Sequence, residues 1–221
     1  QLCGDESLSK RPMARVIEPL SMMGALIDSY ESKPPLFITG NQKLSAINYT
    51  LPVASAQIKS CLLLAGLYAE GETCIVENST TRDHTERMLR GFGYPVKTSN
   101  GQISLMGGGE LHACDIEVPS DISSAAFFIV AASIAKEADI TLNAVNINPT
   151  RTGILNILDL MGANITLTNE RIAAGELVAD IRVCSAKLRG IDIPQELIPL
   201  AIDEFPVIFI AASCAKGETL L

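Results

Sequence analysis

The chain has no apolar run long enough to span a membrane, no Cys-x-x-Cys pair, and only two histidines among 221 residues. The first absence excludes a membrane-spanning helix. The second removes the usual spacing of zinc ribbons and thiol redox sites. His84 and His112 stand in polar surroundings without a partner at ligand spacing, so they read as surface residues and no metal is expected. The opening stretch QLCGDESLSK lacks the apolar core of a secretion signal. A cytoplasmic, reduced setting follows for the six cysteines, with Cys61 and Cys214 expected as buried thiols inside apolar helical runs. The first residue is Gln rather than Met, so the chain is expected to be a piece of a longer protein.

Positive charge is also scarce. Lys and Arg total 17 against 25 Asp and Glu, a net charge of −8. That balance excludes a general nucleic-acid or membrane-binding surface, while leaving room for a small local anion site. Charged residues are 19% of the chain and hydrophobic residues 48%, enough to build a sizeable core.

What the chain does have is a recurring phrase. MMGALI (22–27), GFGYPV (91–96) and LMGANI (160–165) align on Gly24, Gly93 and Gly162, an interval of 69 residues each time (93 − 24 and 162 − 93). Leu20, Leu89 and Leu158 form an identical column, and Met23, Phe92 and Met161 an apolar one. Ile154, Ile157, Leu158 and Met161 have the i, i+3, i+4, i+7 spacing of a helix with one buried face. The glycine then falls where a left-handed residue ends a helix. After Gly93, a β-like run leads to Ser99-Asn100-Gly101-Gln102, the chemistry of a two-residue hairpin turn.

A second helix precedes each phrase. LLLAGLYAEGETCIVEN (62–78), FIVAASIAKEADITLNA (128–144) and IFIAASCAKGETLL (208–221) each read as an apolar helix followed by a strand. The joined unit is strand–helix–strand–helix–strand–strand. The chain holds the end of one unit, two whole units and the beginning of another. Such units bury one sheet face and share a core with neighbours. The class is therefore α/β (α+β), built of repeated βαβαββ units. Val118-Pro119-Ser120-Asp121 has little apolar content and reads as the crossover, placing the two domains at 1–118 and 119–221.

Three helices begin near cations: Arg11 in KRP, Arg82 in TRD and Arg151 in TRT. A helix start already carries partial positive charge, so a cation there costs a few tenths to about 1 kcal/mol unless an anion is close. Together with the unpaired N–H groups of the first turn, it makes a phosphate or carboxylate site. Ser55 can cap the helix that follows it, and Gln57 in its first turn can reach a ligand at that end. Asp203-Glu204 before Phe205-Pro206 is another helix start, with a carboxylate available for proton transfer. Gly107-Gly108-Gly109 follows a hairpin strand with no helix after it, so it reads as a flexible connection rather than a nucleotide loop.

Several phrases resemble the enolpyruvyl transferase family: GDESLSKRPM (4–13), PVASAQIKSCLLLAG (52–66), TTRDHTERMLRGFG (80–93), VPSDISSAAF (118–127), NPTRTGILNILDLMGA (148–163) and IDEFPVIFIAA (202–212). They span nearly the whole chain in the family's order, and TRDHTE and NPTRTG are similar to a bacterial subgroup. The resemblance implies two similar pseudo-threefold domains of βαβαββ units, only part of each being present here. It implies transfer of the carboxyvinyl group of phosphoenolpyruvate to the 5-hydroxyl of shikimate 3-phosphate, with no cofactor and a monomeric full-length enzyme. By the same resemblance, Arg11 would bind phosphoenolpyruvate. Ser55, Ala56 and Arg82 would hold the shikimate phosphate, Gln57 would touch both substrates, and Asp203 would take the hydroxyl proton. The family's N-terminal Lys-Ser motif and its C-terminal Lys-Glu and Asp-His-Arg motifs are absent, so this polypeptide alone is expected to be inactive. A relative acting on UDP-N-acetylglucosamine and a non-catalytic anion-binding module of the same fold are the alternatives.

Overall fold

The recurring phrases fold as alternating helices and strands. In a computed structural model describing residues 1–221, the order is α1 (Ala14–Met22), β1 (Leu26–Tyr30), β2 (Lys33–Thr39), β3 (Leu44–Ser45), β4 (Asn48–Thr50), α2 (Ala56–Gly66), β5 (Ala69–Glu70), β6 (Glu72–Val76), α3 (His84–Gly91), β7 (Lys97–Ser99) and β8 (Gln102–Met106). It continues with α4 (Ile122–Ile134), β9 (Asp139–Asn146), α5 (Gly153–Leu160), β10 (Asn164–Ala173), β11 (Glu176–Cys184) and α6 (Phe205–Cys214). The chain separates into two units, Gln1–Cys114 and Asp115–Leu221. The boundary expected from the sequence, 118/119, lies four residues later (118 − 114).

The first unit contains a four-stranded sheet in the order β4-β6-β8-β7. Strand β4 runs parallel to β6, whereas β8 is antiparallel to both β6 and β7. The second unit repeats this topology. Ser120 forms a parallel bridge to Val145 in β9, and β9, β11 and β10 follow as an antiparallel sheet. A further copy begins around α6, where parallel bridges join Arg189 to Lys216 and Asp192 to Leu220. The repeated βαβαββ architecture is therefore present. The hairpin turn is also as expected, since Asn100 and Gly101 have φ of 49° and 74°.

The three glycines end three helices in the same way. Gly24, Gly93 and Gly162 have φ of 100°, 77° and 86°. Each glycine N–H reaches a carbonyl three residues back: Ser21, Arg90 and Asp159 respectively. The next N–H, of Ala25, Tyr94 or Ala163, reaches Leu20, Leu89 or Leu158 at 2.9–3.0 Å. This paired closure satisfies carbonyls that the helix leaves open. A third bond recurs as well. The carbonyls of Met23, Phe92 and Met161 accept from the N–H groups of Ser45, His112 and Arg189 at 2.8, 2.8 and 2.9 Å. Each helix end is thereby pinned to a later stretch of its own unit.

The cores sit beneath these closures. Met23, Leu62, Leu63, Ile75, Leu89 and Tyr94 are buried together in the first unit. The expected stripe of Ile154, Ile157, Leu158 and Met161 is fully buried in the second, against Ile129, Ile181 and Ile208.

Two local expectations fail. Cys214 is exposed and Cys61 only half-buried, because their helices turn those faces outward; Cys74 in β6 is the buried cysteine. Gly107-Gly108-Gly109 is a close backbone approach rather than a loose connection. A Cβ at Gly107 would lie 1.9 Å from the carbonyl oxygen of Ala69, and Gly107 and Gly108 donate to Gly71 and Leu67. The Tyr94 hydroxyl seals the turn, donating to Met106 at 2.6 Å and accepting from Gly109.

Gly162 allows the backbone term to be measured alone, because a Cβ there meets nothing within 4 Å. Gly162→Ala should destabilise the whole protein by about 1 kcal/mol, with Gly162→Asn milder. Urea unfolding midpoints test this, and an unchanged Ala variant would contradict the strain assigned to the helix end.

Candidate substrate-binding site

Helix α2 starts as its sequence requires. Ser55 is extended, with φ −143° and ψ 106°, and its Oγ accepts from the Ile58 N–H at 3.4 Å. The hydroxyl hydrogen remains able to donate outward. By helix geometry, the N–H groups of Ala56 and Gln57 point out of the same end. Ala56 can offer a ligand only its backbone, whereas Gln57 is exposed and offers an amide. Gln57 also lines a cleft of about 540 Å³ with Leu8, Arg11, Pro12, Met13, Arg15 and Val16. Arg11 and Gln57, 46 positions apart in sequence (57 − 11), thus face one cavity. Arg15, the second residue of the neighbouring helix α1, adds a second guanidinium that no sequence pattern singles out.

The loop carrying Arg82 is tied to α2 from below. Lys59 is fully buried, and its Nζ lies 2.7 Å from Glu86 Oε1 and 3.2 Å from Glu77 Oε2. The same ammonium donates to the Thr81 carbonyl at 3.5 Å, and the Thr81 hydroxyl donates to Glu77 at 2.8 Å. At the next residue of α2, the Ser60 and Thr85 hydroxyls are 2.7 Å apart. Arg82, half-buried, follows Thr81 directly. A cation inside the apolar run IKSCLLLAG was the available signal for this network. Its acidic partners are too distant in sequence to be identified from spacing.

The second unit uses its helix-start cation differently. Arg151 Nη1 lies 3.1 Å from Asp121 Oδ1, and its Nη2 donates to Ser123 Oγ at 2.6 Å. Ser123 in turn donates to Glu204, which is buried. Asp121 caps α4 by accepting from the Ser124 N–H at 3.0 Å. Arg151 is therefore paired with the exposed carboxylate that caps α4. Asp203 is exposed on the short 3-10 turn Ile202–Glu204 that leads into α6, so Glu204 faces inward and Asp203 outward. His112 is exposed as expected, but His84 is half-buried at the start of α3.

This architecture is that of the enolpyruvyl transferases. The enolpyruvyl transferase NikO from Streptomyces tendae superposes with a TM-score of 0.72 over 96% of this chain and 51% of that one, at only 16% identity. The match fixes the fold alone. The chain belongs to the EPSP synthase (3-phosphoshikimate 1-carboxyvinyltransferase) family, whose model matches residues 1–221. A 3-phosphoshikimate 1-carboxyvinyltransferase of Vesicomyosocius okutanii is 68% identical over 100% of this chain and 51% of its own length. The corresponding protein of Hydrogenovibrio crunogenus is 61% identical over 100% of this chain and 51% of its own. An EPSP synthase structure from Acinetobacter baumannii superposes with a TM-score of 0.92 at 59% identity, covering 99% of this chain and 50% of that one. The chain thus spans about half the length of the curated relatives it matches. No helix is long and apolar enough to cross a membrane.

Asp121 provides a pH signature for the second unit. Partial burial opposes its ionisation, but the Ser124 N–H, the Arg151 charge and the Ser123 N–H outweigh it and hold the carboxyl below its usual pKa. A lowered folded pKa stabilises fully above the unfolded value and loses that contribution as pH falls through the folded one. Asp121→Ala should cost about 1 kcal/mol near neutrality through the lost helix cap. The gap to the parent should narrow in acid, as measured by urea unfolding of the whole protein across pH. A gap that widens in acid would contradict the assignment.

Proposed function

We propose that the whole protein transfers the carboxyvinyl group of phosphoenolpyruvate to the 5-hydroxyl of shikimate 3-phosphate, releasing phosphate. The observation that carries this reading is the junction of the α2 start with the Thr81–Arg82 loop. It sets a hydroxyl donor, helix N–H groups and a guanidinium on neighbouring segments of one unit. That donor set suits a phosphate dianion, and the family's name supplies the substrate class.

Ser55, the Ala56 N–H, Gln57 and Arg82 hold the shikimate phosphate in this reading. Arg11 meets phosphoenolpyruvate across the cleft it shares with Gln57, the side chain placed to touch both substrates. Asp203 accepts the proton as the 5-hydroxyl oxygen adds to C2 of phosphoenolpyruvate and C3 gains a proton. The resulting tetrahedral ketal loses phosphate from C2 and a proton from C3, giving the enol ether. The chemistry needs no cofactor. Residues 1–221 alone are inactive in this reading, because positioning both substrates requires groups outside them. The enzyme is monomeric and cytoplasmic. The stretches 1–118 and 119–221 belong to its two domains.

In the whole protein, Arg82→Ala removes a charged hydrogen bond worth about 1.5–3 kcal/mol, roughly ten- to a hundredfold in affinity for shikimate 3-phosphate. Arg11→Ala should instead weaken phosphoenolpyruvate. Asp203→Asn should lower kcat more than it weakens either substrate. Calorimetric titration of each variant with each ligand, beside steady-state rates, separates the three roles. Normal shikimate 3-phosphate binding by Arg82→Ala would overturn the phosphate assignment.

A further inference from the structure

We infer that Lys59 is a positioning residue for the phosphate end of the site, acting through Thr81 rather than touching substrate. The inference rests on the functional reading above. Lys59 has no exposed surface, so its ammonium cannot meet a ligand. An ammonium in such a place requires compensating partners, and it has two carboxylates, Glu77 at the end of β6 and Glu86 in α3. Those two ties bracket the loop 78–83. The loop is then fixed at its centre by Thr81, whose carbonyl accepts from Lys59 and whose hydroxyl donates to Glu77.

The geometry has a directional consequence. Lys59 follows Ser55 by one helical turn on α2, so the element that presents Ser55 and Gln57 also holds the residue preceding Arg82. Breaking the Lys59–Glu77–Thr81 connection should let the Arg82 loop move relative to the α2 start. A binding site that needs both segments then has to order the loop when its ligand arrives, which weakens affinity. The shikimate phosphate should be affected. Phosphoenolpyruvate should not, because the cleft that holds Arg11 is lined by residues 8–16 and Gln57, and no residue of the 78–83 loop contributes to it.

The test uses Lys59→Met and Thr81→Val in the whole protein, with Arg82→Ala and the remote core variant Leu158→Ala alongside. Lys59→Met should raise the dissociation constant and KM for shikimate 3-phosphate about tenfold, and Thr81→Val about threefold. The KM for phosphoenolpyruvate should stay within about twofold in both. Lys59→Arg should recover part of the loss, since it restores a cation. Leu158→Ala should lower Tm without this substrate-selective shift. Should Lys59→Met fail to fold, Thr81→Val decides the matter, because it removes only one partly buried hydroxyl. If Arg82→Ala weakens shikimate 3-phosphate while Lys59→Met and Thr81→Val change only Tm, the positioning role is overturned and the functional reading stands. If Arg82→Ala has no effect, both fall.

Discussion

A single buried ammonium organises the first unit's candidate site. Lys59 sits in a helix that is otherwise apolar on its inner face, and burying it alone would be prohibitive. Glu77 and Glu86 offset that cost only if β6, α3 and α2 meet in one arrangement, which makes the triad a geometric constraint as much as a source of stability. The position of the Arg82 loop follows from it. So does the pairing of a helix start, rich in N–H donors, with a nearby guanidinium.

The second unit engages its helix-start cation within its own polar network. Arg151 stands 69 positions after Arg82 (151 − 82), and Asp121 and Ser123 engage it. Those contacts link the start of α4, the start of α5 and the turn bearing Glu204. One repeated layout of helix starts thus carries two different polar networks. Around them the apolar closures stay constant: glycine with positive φ, leucine two positions before the last helical residue, and a cap carbonyl bound by a later stretch of the chain. Repetition is conserved in the packing, and chemistry varies at the helix starts.

The repeats were legible in the sequence because glycine and leucine at fixed spacing report backbone conformation and burial directly. Gly24, Gly93 and Gly162 needed no tertiary information to be identified as helix ends. Gly107 was misread for the opposite reason: its requirement comes from Ala69, a neighbour across the sheet connection, and not from any local pattern. Cys214 was misplaced because an apolar run does not reveal which face of a helix is covered. Ser55, Gln57 and Arg82 are proposed from helix-start chemistry and the family's phrases. The Lys59 network was missed, since its first carboxylate lies 18 residues away.

Helices α4 and α6 are apolar almost all round, yet Phe127, Phe128, Phe209 and Ile210 are each more than half exposed. Helices of this kind belong inside larger assemblies, in keeping with a chain about half as long as its curated relatives. A crystal structure of the whole protein with shikimate 3-phosphate tests the proposed phosphate site most directly. Phosphate oxygens should lie about 2.7–3.1 Å from Ser55, the Ala56 N–H, Gln57 and Arg82, with the Lys59–Glu77–Thr81 contacts intact. A phosphate bound elsewhere, with Arg82 turned away from the α2 start, would contradict it.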